Sequence, residues 1–258
     1  MSAEPQRESN SAPAKPTAVI YLSSHRPLRL ADFFTEFHDN WPSISLEKTC
    51  HEPHRACFRA GRSEFWLEFH HSPVPDAITE PVVNSTLHWP TALTALARHV
   101  SYLEVIGLRS THGLLTLTCD VTRAIATLLA ITDSIAVCWL NGPALNQAKT
   151  FIATAREMLS TGFYPLSLWT AVRWDPDSHS LATHGMRQFD AHELVLREQP
   201  DAAPLMVDYL FQAALSLLVS RHPIRDGETV NGPHGPIKVK SGNTDGKGRG
   251  VLILDPAS

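Results

Sequence analysis

Apolar positions first become regular at Ala18-Val19-Ile20-Tyr21-Leu22, a β-branched and aromatic run closed by Ser23-Ser24 that predicts a buried strand. Leu30, Phe33, Phe34, Phe37 and Trp41 then recur at steps of three and four, which predicts a helix over residues 30–40 ended by Trp41-Pro42. In residues 64–70, Phe65, Leu67 and Phe69 alternate with Trp66 and Glu68. Together with residues 55–60 across Gly61-Arg62-Ser63 this pattern predicts a hairpin. Pro73-Val74-Pro75 breaks the strand, and Asp76 is placed to cap a helical region over 77–99 that is interrupted at Trp89-Pro90. A strand over 100–108 follows. The order so far is strand, helix, strand, strand, helix, strand.

The same order returns later in the chain. A connector holds a strand-like stretch over 114–118 and a helix over 120–131. After it, Ile135-Ala136-Val137-Cys138-Trp139-Leu140 predicts a buried strand closed by Asn141-Gly142-Pro143. An amphipathic helix carries Leu145, Phe151, Ile152 and Leu159. Strands are expected over 165–174 and 186–197, a helix over 202–220, and a final strand at Val251-Leu252-Ile253-Leu254. The second helix of each series is entered through Pro-Asp-Ala, at Pro75-Asp76-Ala77 and Pro200-Asp201-Ala202. The expected fold is therefore α+β, with two ferredoxin-like βαββαβ halves whose antiparallel sheets carry helices on one face. The expected divisions are a disordered tail (1–16), a first half (17–110), a strand-helix connector (111–134) and a second half (135–258).

Composition narrows the function more than the fold. The chain has 258 residues, 43% hydrophobic and 19% charged, enough to build one large core or two modest ones without staples. A net charge of −4 argues against nucleic acid as a partner, because phosphates must be met by clustered Lys and Arg. The most apolar stretch, residues 124–140, is broken by Thr127, Thr132, Asp133 and Ser134, so no membrane span is expected. Four sparse cysteines and no leader-like apolar segment suggest a reducing, cytoplasmic setting.

Fourteen histidines invite a search for metal sites. The densest donor set is Cys50, His51, His54 and Cys57, whose types would suit zinc. All four lie within eight residues, however, whereas structural zinc usually draws two ligand pairs from separated segments, so a loop entering a strand is favoured and no cofactor is expected. His70 and His71 are adjacent on a strand and point to opposite faces, so they do not form one site. In residues 183–195, a core-facing Phe189, Ala191 and Val195 would bring Glu193 to the same face. A buried carboxylate needs a partner or a pKa shift, so Glu193 is a candidate catalytic acid, with His184 and nearby Arg173. The structural alternative, a carboxylate that caps backbone N–H groups or pairs with an Arg, is favoured. Asp190 and His192 fall on the opposite parity, so no triad emerges. Asp226 and Glu228, in the turn-rich Arg225-Asp226-Gly227-Glu228-Thr229-Val230-Asn231-Gly232, are candidate ligand-binding residues, set against an ordinary hairpin connection. Thr-His-Gly occurs at 111–113 and again at 183–185 without aligning in the proposed repeat. The glycine-rich run 242–248 lacks the spacing of a phosphate loop, and no Gly-x-Ser-x-Gly elbow exists.

Thr183-His184-Gly185-Met186 through Phe189 and Glu193, followed by Arg225-Asp226-Gly227-Glu228-Thr229-Val230, resembles the bacterial domain of unknown function 4261 family over about residues 135–256, with weaker likeness at Pro73-Val74-Pro75 and Trp89-Pro90. Members of that family usually carry Gly where this chain has Asp190. The resemblance implies a bacterial protein and supplies no catalytic residues. Two functions follow as expectations. The favoured one is a non-catalytic module that binds another protein or a ligand. The alternative is an enzyme or a metal or small-molecule binder, with a site near Glu193 and His184 between the two halves. Nothing in the sequence fixes the oligomeric state.

Overall fold

The computed structural model describes residues 15–51, 55–83, 89–197, 203–220, 224–232, 235–243 and 250–256. The first sheet collects β1 (Thr17–Leu22), β2 (Leu46–His51), β3 (Arg55–Ala60), β4 (Ser63–His70), β5 (Ser101–Ser110), β6 (Ser134–Trp139) and β7 (Ala144–Gln147). Its order is β2-β3-β4-β5-β1-β6-β7, antiparallel throughout. The second sheet runs β11 (Thr229–Gly232), β12 (Gly235–Asn243), β13 (Gly250–Pro256), β10 (Glu193–Arg197), β9 (Ser180–His184) and β8 (Ala171–Asp175). Within it β10 and β13 are parallel. Helices α1 (Leu30–Asn40), α2 (Asp76–Val83), α3 (Ala92–Leu96), α4 (Leu114–Ile131), α5 (Ala148–Ser160), α6 (Leu166–Trp169) and α7 (Ala203–Val219) complete the fold.

The α+β class holds, but the strand pairing is not that of two ferredoxin-like halves. A split βαβ unit places its first strand between its last two. Here β2 to β5 form a meander, and β1 lies beyond β5. The strand expected to open the second half, β6, instead pairs with β1 in the register Ala18↔Trp139. Residue 135 is therefore not a boundary between the sheets. Element order is set locally, whereas pairing is set by which apolar edges meet, and β6 carries buried residues on both faces, as an interior strand must. The Pro200-Asp201-Ala202 cap and residues 1–14 of the expected tail lie outside the described residues.

Helices lie on both faces of the first sheet, not one. One face sends Ile20, Phe58, Phe65 and Val105 against Phe33 and Phe37 of α1 and Val121 and Ile125 of α4, in a core that continues through Phe151 and Trp169 into the second sheet and α7. On the opposite face, Val19, Tyr21, Ala136 and Cys138 are covered by Val82 of α2, by Trp89 and by Ala92 and Leu96 of α3. Each large side chain fully buried in these layers is worth about 1.5–3 kcal/mol.

α4 is the common wall. Its first turns, expected as a strand, are helical because Leu117, Val121, Ala124, Ile125 and Leu128 continue one buried face at helical spacing; the hydroxyls of Thr118, Thr122 and Thr127 are satisfied by the carbonyls four residues back, of Leu114, Thr118 and Arg123. It is the one helix among the described residues long and apolar enough to cross a membrane, and 67% of it is buried inside the fold. The helix expected from residue 145 begins at Ala148 because residues 144–147 extend the first sheet as β7. The strand expected over 165–174 divides into α6 and β8.

Cys50 and Cys57 sit directly opposite each other on β2 and β3 and form a disulfide. Its sulfurs are not thiolates, so in this state they do not ligate zinc as sequence allowed, and the pairing runs against a reducing setting. His54 lies outside the described residues, as does the side chain of His51.

The two sheets meet at a polar junction. The Trp139 indole N–H donates to Gln188 Oε1 at 2.8 Å, and Gln188 Nε2 donates to the carbonyls of Trp169 (3.0 Å) and Gly185 (2.7 Å). The Trp169 indole N–H in turn donates to Thr122 Oγ1 of α4 at 2.8 Å. Beside them two backbones touch: a Cβ on Gly142 would lie 2.0 Å from the Trp169 carbonyl oxygen, and one on Gly185, at φ 126°, would lie 2.5 Å from the Gly142 Cα. Gly142→Ala is therefore expected to cost more than about 4 kcal/mol or abolish folding, because neither obstacle is a movable side chain. Gln188→Leu should lower the unfolding free energy by about 2–4 kcal/mol in urea titration, since it strands a buried indole N–H and two carbonyls.

Candidate binding cleft

Glu193, the candidate acid, begins β10 with its carboxylate already committed. Oε1 accepts the Gly185 N–H at 2.9 Å and the Arg187 N–H at 3.4 Å, and Oε2 accepts the Thr183 hydroxyl at 2.8 Å. Thr183 Oγ1 also accepts the Leu194 N–H at 2.8 Å. These bonds hold the turn Gly185-Met186-Arg187, which leads into a single 3₁₀ turn over Met186–Phe189. The carboxylate serves as a backbone cap, and little of its lone-pair capacity is left for proton transfer.

His184 and Arg173 do come together, on the neighbouring strands β9 and β8. Burial pushes the His184 imidazole down to about 4, and the guanidinium charges of Arg173 and Arg187 push it the same way. Arg173 is itself lowered, chiefly by burial, and its Nε has no hydrogen-bond partner among the described residues. Its charge partly offsets the effect of burial on the Cys138 thiol, which is raised to about 12. The set is a neutral imidazole beside two guanidinium groups.

Asp226 and Glu228 both hold the turn after α7. Asp226 Oδ1 accepts the Ser241 N–H at 2.7 Å, and Glu228 Oε2 accepts the Arg225 N–H at 3.1 Å. Asp226 also lines a cleft of about 630 Å³, and Glu228 does not. One wall is the start of α4 with His112, Gly113 and Leu115, and another is Phe189, Asp190 and His192 of the turn before β10. The C-terminal part of α7, with Leu217 and Leu218, and the 224–226 segment enclose the rest. Half-buried leucines, Phe189 and Ile224 form the floor, and exposed His112, Asp190, His192, Arg225 and Asp226 form the rim.

Local backbone explains why these residues project. Gly113 stands before α4 at φ 89°, and the second Thr-His-Gly ends in Gly185 at φ 126°, so both copies of the tripeptide are left-handed turn exits. Asp190 also adopts a left-handed conformation, φ 59° and ψ 30°. That geometry favours Gly, and Asp is one of the residues that tolerate it. The His192 Nδ1–H donates to the Gly250 carbonyl at 3.2 Å, tying the rim to β13.

Asp226 stands out in the sequence, but the cleft around it does not. Leu217 and Leu218 read as the core face of a helix and Leu114 and Leu115 as part of a strand-like stretch, and only the meeting of α4 with the second sheet leaves them at an opening. Gln188 was missed too, because an isolated Gln carries no spacing signal. Compared with known proteins, the chain matches no family model, no curated protein and no solved structure, so the family resemblance stays a likeness of short motifs.

Burial of a neutral His184 sets a pH dependence. With the folded value at about 4 and the unfolded value near 6.5, the unfolded chain binds more protons between these limits. The contribution of His184 to stability is full above about pH 6.5, falls as pH drops toward about 4, and amounts to roughly 2–3 kcal/mol. Urea midpoints measured across this window should fall for the native protein and fall less for His184→Gln.

Proposed function

We propose that this protein is a non-catalytic binding module whose ligand site is the cleft between α4, α7 and the turn that precedes β10. The observation that carries this reading is the division of labour among polar groups. Glu193, the only acid the sequence put forward for catalysis, is spent on capping a turn. The cleft, by contrast, joins an apolar floor to a charged rim. Its volume, about 630 Å³, falls in the range of sites that enclose small molecules or one large side chain. Apolar floor with polar rim suits an amphipathic ligand, an apolar body bearing a polar end, and burying that body supplies roughly 25 cal/mol per Å² removed from water. Walls drawn from α4, α7 and the second sheet would let occupancy stiffen the packing of these elements on one another.

The test uses 8-anilinonaphthalene-1-sulfonate, an apolar ring system with a charged group, as a fluorescent probe of the full chain. Saturable binding near one equivalent is expected, with a higher melting temperature. Ser241→Trp, which projects an indole from an exposed position on the cleft wall, should weaken binding at least tenfold while leaving the melting temperature of the unliganded protein within a few degrees. Binding that the substitution leaves unchanged would place the probe elsewhere and sink the reading.

A further inference from the structure

On the face of the first sheet opposite α1 and α4, α2 and α3 pack over β1, β6 and β7, with Tyr102 of β5 at the margin of that cluster. Further along the same face, β4 and β5 present alternate side chains that no helix among the described residues covers. Glu68 and His70, two apart on β4, share a face, and Glu104 of β5 is directly opposite Glu68, with Tyr102 opposite His70. One ligand atom from each of Glu68, His70 and Glu104 lies within 4.8 Å of the others. All three side chains are roughly one-quarter exposed: 24%, 27% and 27%.

Three features of this group are hard to reconcile with an ordinary polar surface. Like charges directly across a sheet are destabilising. Arg55 meets Glu68 through two bonds to the same oxygen, Oε2, at 3.1 and 2.7 Å, so Oε1 is left over. Glu104 has no Lys or Arg partner within ion-pair distance among the described residues, only His70.

Second, the His70 Nε2 is shielded from solvent and has no hydrogen-bond partner among the described residues. Its separation from Glu104 Oε2, 3.7 Å, is too long for a hydrogen bond. It is close to the spacing of two donors sharing one ion, since tetrahedral zinc with Zn–N and Zn–O bonds of about 2.0–2.2 Å sets its ligand atoms about 3.3–3.5 Å apart. Third, the imidazole is held in place. The Tyr102 ring stacks on it at 4.2 Å between centroids and 11° between planes, and the Arg55 fork fixes the Glu68 carboxylate. Both are the supporting contacts that orient metal ligands.

From this arrangement we infer that Glu68, His70 and Glu104 form a binding site for a divalent transition-metal ion of the zinc class, one nitrogen and two carboxylate ligands with a fourth position open to water. The site is separate from the cleft and does not depend on it. An ion there neutralises the opposed carboxylates, satisfies the imidazole nitrogen, and clips β4 to β5 on a stretch that no helix among the described residues covers.

The test titrates tag-free, full-length protein with zinc chloride by calorimetry. One equivalent is expected to bind, and His70→Gln and Glu104→Gln should each weaken it at least tenfold with an unchanged far-UV circular dichroism spectrum, whereas His192→Gln should not. In case a variant fails to fold, substoichiometric cobalt(II) added to the native protein must first broaden the ring proton resonances of His70 and Tyr102. No binding by the native protein, binding unaffected in both variants, or broadening that begins at other histidines overturns the assignment.

Discussion

The side-chain amide of Gln188 is the contact on which the arrangement of the two sheets depends. Its oxygen takes the Trp139 indole N–H from the first sheet, and its nitrogen satisfies the Trp169 and Gly185 carbonyls on the side of the second. A buried polar group left unpaired costs about 1–3 kcal/mol, so alternatives that slide one sheet over the other would break several such bonds at once. The bare backbones of Gly142 and Gly185 let the chain segments close to the distance at which Gln188 can bridge them. The apolar core makes the sheets associate, and the amide and the two glycines fix how.

Glu193 extends the same constraint. By capping the N–H groups of Gly185 and Arg187, it sets the turn that delivers Gln188 inward and Phe189 and Asp190 outward. A polar residue that resembles an active-site acid in sequence thus acts on the chemistry of the molecule through backbone geometry, because it shapes one wall of the cleft. α4 shapes another wall: its middle is fully packed, and only its first turn reaches the opening. The cleft is accordingly what remains where helix and sheet cannot both be flat against each other. Its leucines are continuous with the core, and its charges come from loops.

Coverage by helices divides the first sheet into two environments. Under α2 and α3 the alternating positions are Val19, Tyr21, Ala136 and Cys138, and the Tyr21 hydroxyl finds a partner in Thr79. Beyond the helices the same parity carries Arg55, Trp66, Glu68, His70 and Glu104, with the Arg55 guanidinium 3.8 Å over the Trp66 ring. An open β-face stays soluble by carrying charge, and when the charges are acidic and directly opposed they need a cation. Arg55 supplies one for Glu68, and the Cys50–Cys57 disulfide closes the outer hairpin on which Arg55 is placed.

Much of the local structure was written in the sequence. α1 lies where the three-and-four spacing of Leu30, Phe33, Phe34 and Phe37 put it, the β3–β4 hairpin follows the alternation around Gly61, and the role of Glu193 as a backbone cap was the reading its setting favoured. His70 and His71 do face opposite ways, one toward Tyr102 and the other toward Phe69. These features are legible because side-chain period, turn chemistry and parity act over a few residues. Strand partners, the direction of β10 relative to β13, the junction at Gln188, the cleft and the Glu68–Glu104 opposition were not legible. Each is a pairing between segments whose separation in sequence carries no periodic signal. Register there is decided by the total burial and hydrogen bonding of the finished core, so only the tertiary structure selects it.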